Sequence, residues 1–132
     1  MAGKVTTHEA SVLNVLRATN ITAPANVYVA LFTAAPSDAQ GGTEVTGGSY
    51  ARQLCGFAAP SGTPRSVVNA ADILYPVATA GYGPVTHFAI MSSLAGSVST
   101  DELYWAALAA SKTFAINDQA VFRAGQLSVT ED

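Results

Sequence analysis

Eight residues, Asn26-Val27-Tyr28-Val29-Ala30-Leu31-Phe32-Thr33, constrain the fold of this chain more than any other stretch. Five of the eight are β-branched or aromatic, and the run is bounded by Ala23-Pro24-Ala25 and Ala34-Ala35-Pro36. Proline on both flanks marks where regular structure starts and stops. Both alternating sets are apolar: Val27, Val29 and Leu31 on one face, Tyr28, Ala30 and Phe32 on the other. A strand of this kind needs cover on both faces, which predicts a place inside a sheet or at a subunit contact.

What surrounds that strand is poor in charge. Only 11% of the 132 residues are charged, against roughly a quarter in ordinary soluble domains. Hydrophobic residues make up 49%. A surface with so little charge predicts partial cover by other protein. The length predicts a single domain over residues 1–132, able to bury about two-thirds of its unfolded surface. Nine acids and six bases give a net charge of −3, and Lys4, Arg17, Arg52, Arg65, Lys112 and Arg123 never cluster. Without a basic stripe to neutralise phosphates, nucleic-acid binding is not expected. Cys55, the single cysteine, rules out an internal disulfide or a CxxC metal site and is expected to pack as a small hydrophobe. The first residues contain no apolar signal core, and no apolar run reaches the ~18 residues of a membrane span. Synthesis and assembly in a cytoplasm, with no membrane partner, are the expectation.

Thr6-Thr7-His8-Glu9 has the form of a capping box, and Val12, Leu13, Val15, Leu16 and Thr19 follow at helical spacing opposite Ser11, Asn14 and Arg17. This predicts an amphipathic helix over residues 6–20, its apolar stripe closing one end of a β core. The alternative use of that stripe is as a docking element for a partner. From Asn26 onward the pattern is of short strands. Tyr50–Phe57, Val67–Asn69, Asp72–Tyr75, Val85–Met91, Glu102–Leu108, Lys112–Ile116, Ala120–Phe122 and Leu127–Thr130 read as strands, with Gly81–Pro84 a tight turn, Asn117-Asp118 a hairpin signal and Gly125 a bulge. The fold class is therefore mainly β: an antiparallel β-sandwich over 26–130, with jelly-roll or Greek-key connections, behind one N-terminal amphipathic helix.

The excursion from Pro36 to Ser49 carries two Gly-Gly pairs and no apolar period. It matches neither a Walker loop nor a dinucleotide turn. Loops of this length are uncommon in compact domains unless they have a function, so Gln40, Gly41, Gly42, Thr43, Glu44, Val45, Thr46, Gly47 and Gly48 are the candidate partner-contact residues. No catalytic constellation appears. His87 lies in a strand without a nucleophile or acid partner, His8 is expected to face solvent, and the two cannot form a zinc site by themselves. Asp101 and Glu102 read as solvated acids before a strand. Catalysis, cofactors and metals are not expected. Tyr82, Tyr104 and Trp105 are the residues from which a sugar-binding platform would be built, although Trp105 reads better as a core residue with its indole on a backbone carbonyl.

Asn26–Thr33, Gly41-Gly42-Thr43-Glu44-Val45 and Gly48-Ser49-Tyr50-Ala51-Arg52 are followed by Asn69-Ala70-Ala71, Val85-Thr86-His87-Phe88 and Phe122-Arg123-Ala124-Gly125-Gln126-Leu127-Ser128-Val129-Thr130. Taken in this order over nearly the full chain, these segments resemble a family of small tailed-bacteriophage proteins commonly labelled tail fibre protein. The resemblance implies a non-enzymatic virion protein that packs on other virion proteins, either the major capsid protein or tail proteins. It carries no catalytic residues with it. Fibre shafts are repetitive, and this chain has no repeat. That favours a capsid decoration, or cement, subunit forming a homo-oligomer such as a trimer. The alternative is a tail-fibre knob or adaptor that binds host glycans.

Overall fold

A computed structural model describes residues 3–131. Its centre is a six-stranded antiparallel sheet. Strand β1 (Gly3–Lys4) precedes helix α1 (Thr6–Asn14) and a 3-10 turn at Val15–Arg17. Next come β2 (Val27–Ala34), β3 (Thr43–Glu44), β4 (Gln53–Cys55), β5 (Arg65–Val68), β6 (Ile73–Leu74) and β7 (Tyr82–Met91). A short helix α2 (Val98–Asp101) leads into β8 (Glu102–Phe114), and β9 (Val121–Phe122) and β10 (Ser128–Glu131) end the described chain. The main sheet runs β1-β8-β7-β2-β3, with β4 sharing the outer edge of β2.

β2 holds the position its sequence demands. Tyr28–Phe32 pair with His87–Met91 on one side, while β4 and β3 pair on the other. Val29 and Leu31 enter one buried cluster with Val85, Ile90, Tyr75 and Leu127. Ala30 and Phe32 enter a second, on the opposite face, with Ala89 and Met91. On the first face the cover is two ribbons, β10–β5 and β6–β9. It is thus a broken layer, not the second four-stranded sheet of a jelly roll. Asn69 joins the ribbons' ends. Buried at 1% exposure, it donates through Nδ2 to the carbonyls of Ala71 and Arg123 and accepts from the Leu127 amide, each at 2.9 Å.

Several boundaries differ from the sequence expectation. The helix begins after Val5, not at a Thr6 cap: no side chain caps it, and the Thr6 amide instead donates to the Asp38 carbonyl at 2.7 Å. It stops at Arg17, short of residue 20, because Ala18 turns left-handed. Tyr50–Phe57 contracts to β4, since Tyr50 and Arg52 turn their side chains to other work. Tyr82–Pro84 belongs to β7 and is not a separate turn. Residues 102–114 form one strand of 13 residues. Between the pairs Val85–Lys112 and His87–Ala107, two steps of β7 span five of β8, so the Ala-rich segment bulges out. The Asn117-Asp118 turn forms, but its flanks do not make a hairpin, because β9 pairs with β6. Gly125 is a left-handed turn residue outside any strand.

Candidate interaction surfaces

Helix α1 is inside out. The residues it turns toward the body, His8, Ser11 and Asn14, are polar and half-buried. With Thr7 they line an open cleft shared with Asn20–Pro24 and the Ser92–Leu103 region. The apolar stripe faces solvent, with Leu13 60%, Val15 52% and Leu16 84% exposed. The helix therefore does not close the β core with its greasy side, as its periodicity predicts. No residue of α1 is buried. Among the described residues its start is held to the sheet by the Val5 amide on the Leu103 carbonyl at 3.0 Å, by the Thr6–Asp38 backbone bond, and by His8 edge-on to the Tyr104 ring at 5.2 Å. His8 is accordingly not a free surface residue, and burial followed by the nearby Lys4 charge lowers its pKa.

The Gln40–Gly48 loop is divided between inward and outward residues. Val45 is buried in the main core, and its amide donates to the Leu31 carbonyl at 2.9 Å. Gln40 Nε2 donates to the Glu102 carbonyl at 3.2 Å. Gly42 and Gly48 have positive φ and tight surroundings: a Cβ would come within 2.8 Å of Pro36 N at Gly42 and 2.6 Å of the Ala80 carbonyl at Gly48. The glycine pairs are thus explained in large part by backbone geometry. Gly42, Thr43, Thr46 and Gly47 are exposed, whereas Gly41 and Gly48 are half-buried.

Glu44 ties this loop to the rest of the molecule. Its Oε1 and Oε2 accept from Arg52 Nε and Nη2 at 2.9 Å each. Arg52, 5% exposed, spends its remaining donors on the Ser93 and Gly96 carbonyls, both at 3.1 Å, and on Asp101 Oδ2 at 3.4 Å. All five guanidinium N–H groups therefore find acceptors. The Tyr50 hydroxyl donates to Glu44 Oε1 and accepts from the Leu31 amide, each at 2.9 Å, filling the gap that β3 and β4 leave on the edge of β2. Asp101 also accepts from Ser93 Oγ at 2.8 Å. One buried arginine thus joins the 40–48 loop, β4 and the loop before β8.

Glu102, next in sequence, is also not solvated. It is 1% exposed and neither carboxylate oxygen completes a hydrogen bond. Burial pushes its pKa up to about 7; the Gly41 amide and the Arg52 charge pull it down and the Glu44 charge raises it. Neither Arg52 nor Glu102 is marked as special by the sequence. Their partners lie 8 to 62 residues away and belong to segments that read as loops.

The remaining candidates separate. Tyr82 is buried at 8% and packs against Phe114 and Tyr50, so it cannot join a surface platform with Tyr104 and Trp105. Trp105 is half-buried, and its indole donates to Asp38 Oδ1 at 3.3 Å in place of a backbone carbonyl. Tyr104 lies against Lys4 and bonds Glu131. His87 Nδ1 shares a 2.8 Å bond with Thr86 Oγ1. Cys55 packs in the core, and burial raises its thiol pKa to about 11. Among the described residues, no three or more His, Cys, Asp or Glu side chains are placed to hold a metal ion.

The family model described as "Podophage GP4 fiber I protein gp80" matches residues 3–130. No curated protein matches the chain.

Proposed function

The chain belongs to the podophage GP4 fiber I protein gp80 family, and from this we infer that it is a non-enzymatic structural subunit of a phage tail fibre, held in the virion by contacts with other protein subunits. The family is one of phage fibre proteins, which makes the chain a structural phage protein and a virion component. Fibre, in preference to capsid decoration, is the reading that the family description favours.

The observation that carries the assembly reading is α1. A stripe of Val12, Leu13, Val15 and Leu16 in water costs the free molecule solubility and returns nothing to its core. Burial against a neighbouring subunit gives that stripe a purpose. The outward residues of the loop, Gly42, Thr43, Thr46 and Gly47, form a second and more polar contact surface. Quantitative mass spectrometry of purified virions tests the proposal. A copy number matching tail symmetry is expected. Copies approaching the number of capsid subunits would return the protein to the capsid, and absence from the particle would remove it from the virion.

A further inference from the structure

The main sheet ends on an edge that nothing in the described molecule completes. Strand β1 covers the outer side of β8 only at Tyr104 and Trp105. From Ala107 to Phe114 the chain runs on extended with no strand beyond it. Among the described residues, no backbone group of Ala107–Phe114 bonds to anything except β7. Even that pairing lapses between Ala107 and Lys112, so Leu108–Ser111 have no paired residue on either side. Natural sheets guard such edges with charge, proline, bulges or a covering loop. Here only the bulge and Lys112 are present. The run Ala106-Ala107-Leu108-Ala109-Ala110-Ser111 has neither charge nor proline, and its small side chains leave the backbone open to close approach.

Beside that edge the two layers part. An open groove of about 780 Å³ lies between β8 and β9, with Val85, Phe88, Phe122 and Leu127 on its walls and Ala106–Ala110 along one side. An occupant must meet two demands at once: a row of backbone donors and acceptors for the edge, and apolar side chains at every second position for the groove. An extended peptide supplies both. A helix has already spent its amides on itself. A second copy offering the same edge would bring its own bulge to face this one, and opposed bulges disrupt a common ladder. Lys112 is the one charged residue lining the groove, and it makes no ion pair among the described residues. An acidic side chain on the incoming strand would complete it.

We propose that an extended segment of a different virion protein adds to the outer edge of β8 as an extra strand along Ala107–Phe114, with alternate apolar side chains in the groove and an acidic residue against Lys112. This rests on the reading of the chain as a subunit held in the virion by other proteins, and it gives the chemistry of one such partner. The seat is separate from the α1 stripe and from the 40–48 loop.

Hydrogen exchange read by mass spectrometry tests this on the full chain, free and in purified virions. The amides of Leu108–Ser111 should exchange at nearly unprotected rates in the free protein and roughly a hundredfold more slowly in the particle. Ala109→Pro removes an amide that bonds nothing in the free molecule, so the variant should fold and yet enter virions roughly tenfold less often. Lys112→Glu should lower incorporation in the same direction, and Lys112→Arg should preserve it. If the proline variant does not fold, the exchange rates and the Lys112 pair still decide. Equal exchange in both states, or normal incorporation of folded Ala109→Pro or Lys112→Glu, would overturn the proposal and leave the fibre reading in place. Protection already present in the free protein, with self-association in sedimentation, would overturn it by giving the edge to a second copy. Absence of the chain from virions would overturn the fibre reading, and this partner with it.

Discussion

Arg52 and Glu44 meet as a fork, Nε on Oε1 and Nη2 on Oε2, both at 2.9 Å, with the arginine side chain 4% exposed. A buried charge that has lost its partner costs far more than the intact pair contributes. Glu44→Gln is therefore expected to destabilise the protein by about 3–5 kcal/mol in urea unfolding. Arg52→Lys should not be benign, because an ammonium has three donors and no planar fork with which to reach Ser93, Gly96, Asp101 and Glu44 together. A loss below 1 kcal/mol for either variant, on the ~0–1 kcal/mol scale of surface pairs, would show the fork to be peripheral.

Glu102 makes stability fall as pH rises. Its folded pKa of about 7 stands above the ordinary 4.5, chiefly through burial. The folded protein keeps a proton that the unfolded chain releases. Stability present in full below about 4.5 is lost as pH rises through about 7. Glu102→Gln removes that dependence. The variant should gain on the wild type by on the order of 3 kcal/mol between pH 4 and pH 8, whatever the fixed cost of its own unpaired amide. Parallel stability curves for the two proteins would rule out titration of this carboxyl.

β2 was legible because apolar residues on both alternating faces leave a strand only one kind of place, and Val29 and Ala30 do enter separate clusters. α1 was legible as a helix but not in its orientation. A period of 3.6 shows that Val12, Leu13 and Leu16 share a face, not whether that face meets a core or water. The fixed point is the Thr6–Asp38 backbone bond, between residues 32 positions apart, and no local pattern announces it. The Gln40–Gly48 loop was legible as a feature, but not its division into inward Val45, whose amide bonds the Leu31 carbonyl, and outward Thr46, nor the Arg52 fork that holds Glu44 beside them. Buried arginine carries no sequence signal of its own. Every acceptor it uses had the appearance of loop chemistry.

The exposed stripe on α1 gives a stability prediction of its own. Leu16→Ser changes a side chain that is 84% exposed, so monomer stability should move by no more than about 0.5 kcal/mol. Leu127→Ala, at a position 2% exposed in the main core, should cost about 2–5 kcal/mol. Urea denaturation of the two variants compares them directly. Equal costs would place Leu16 inside the fold and refute the inside-out helix.

Asn69 should tolerate neither truncation nor charge. Its Nδ2 serves two carbonyls and its Oδ1 the Leu127 amide, at a point where β5, β6 and β10 depend on one side chain for their joins. Asn69→Asp keeps the shape but turns an acceptor toward the Ala71 and Arg123 carbonyls. It is expected to cost more than the ~1 kcal/mol of one ordinary hydrogen bond, and to cost less in acid, where the protonated carboxyl can donate again. A pH-independent penalty would mean that the Nδ2 bonds are not what holds the ribbons.

Gly47 and Gly48 separate backbone strain from crowding within the 40–48 loop. Both have left-handed φ, at 76° and 63°. A Cβ on Gly47 meets nothing within 4 Å, whereas one on Gly48 meets the Ala80 carbonyl at 2.6 Å and Tyr82 at 3.0 Å. Gly47→Ala should therefore cost about 1 kcal/mol, the conformational penalty alone. Gly48→Ala must also push β7 away from the loop, losing part of the Tyr82 packing against Tyr50 and Phe114. Its penalty should exceed that of Gly47→Ala by at least ~1 kcal/mol. Thermal melts of the two variants decide it, because they share the φ requirement and differ only in what the added methyl would touch. If they lose the same stability, the 40–48 loop is free to move away from Ala80 and its inward half is not anchored there.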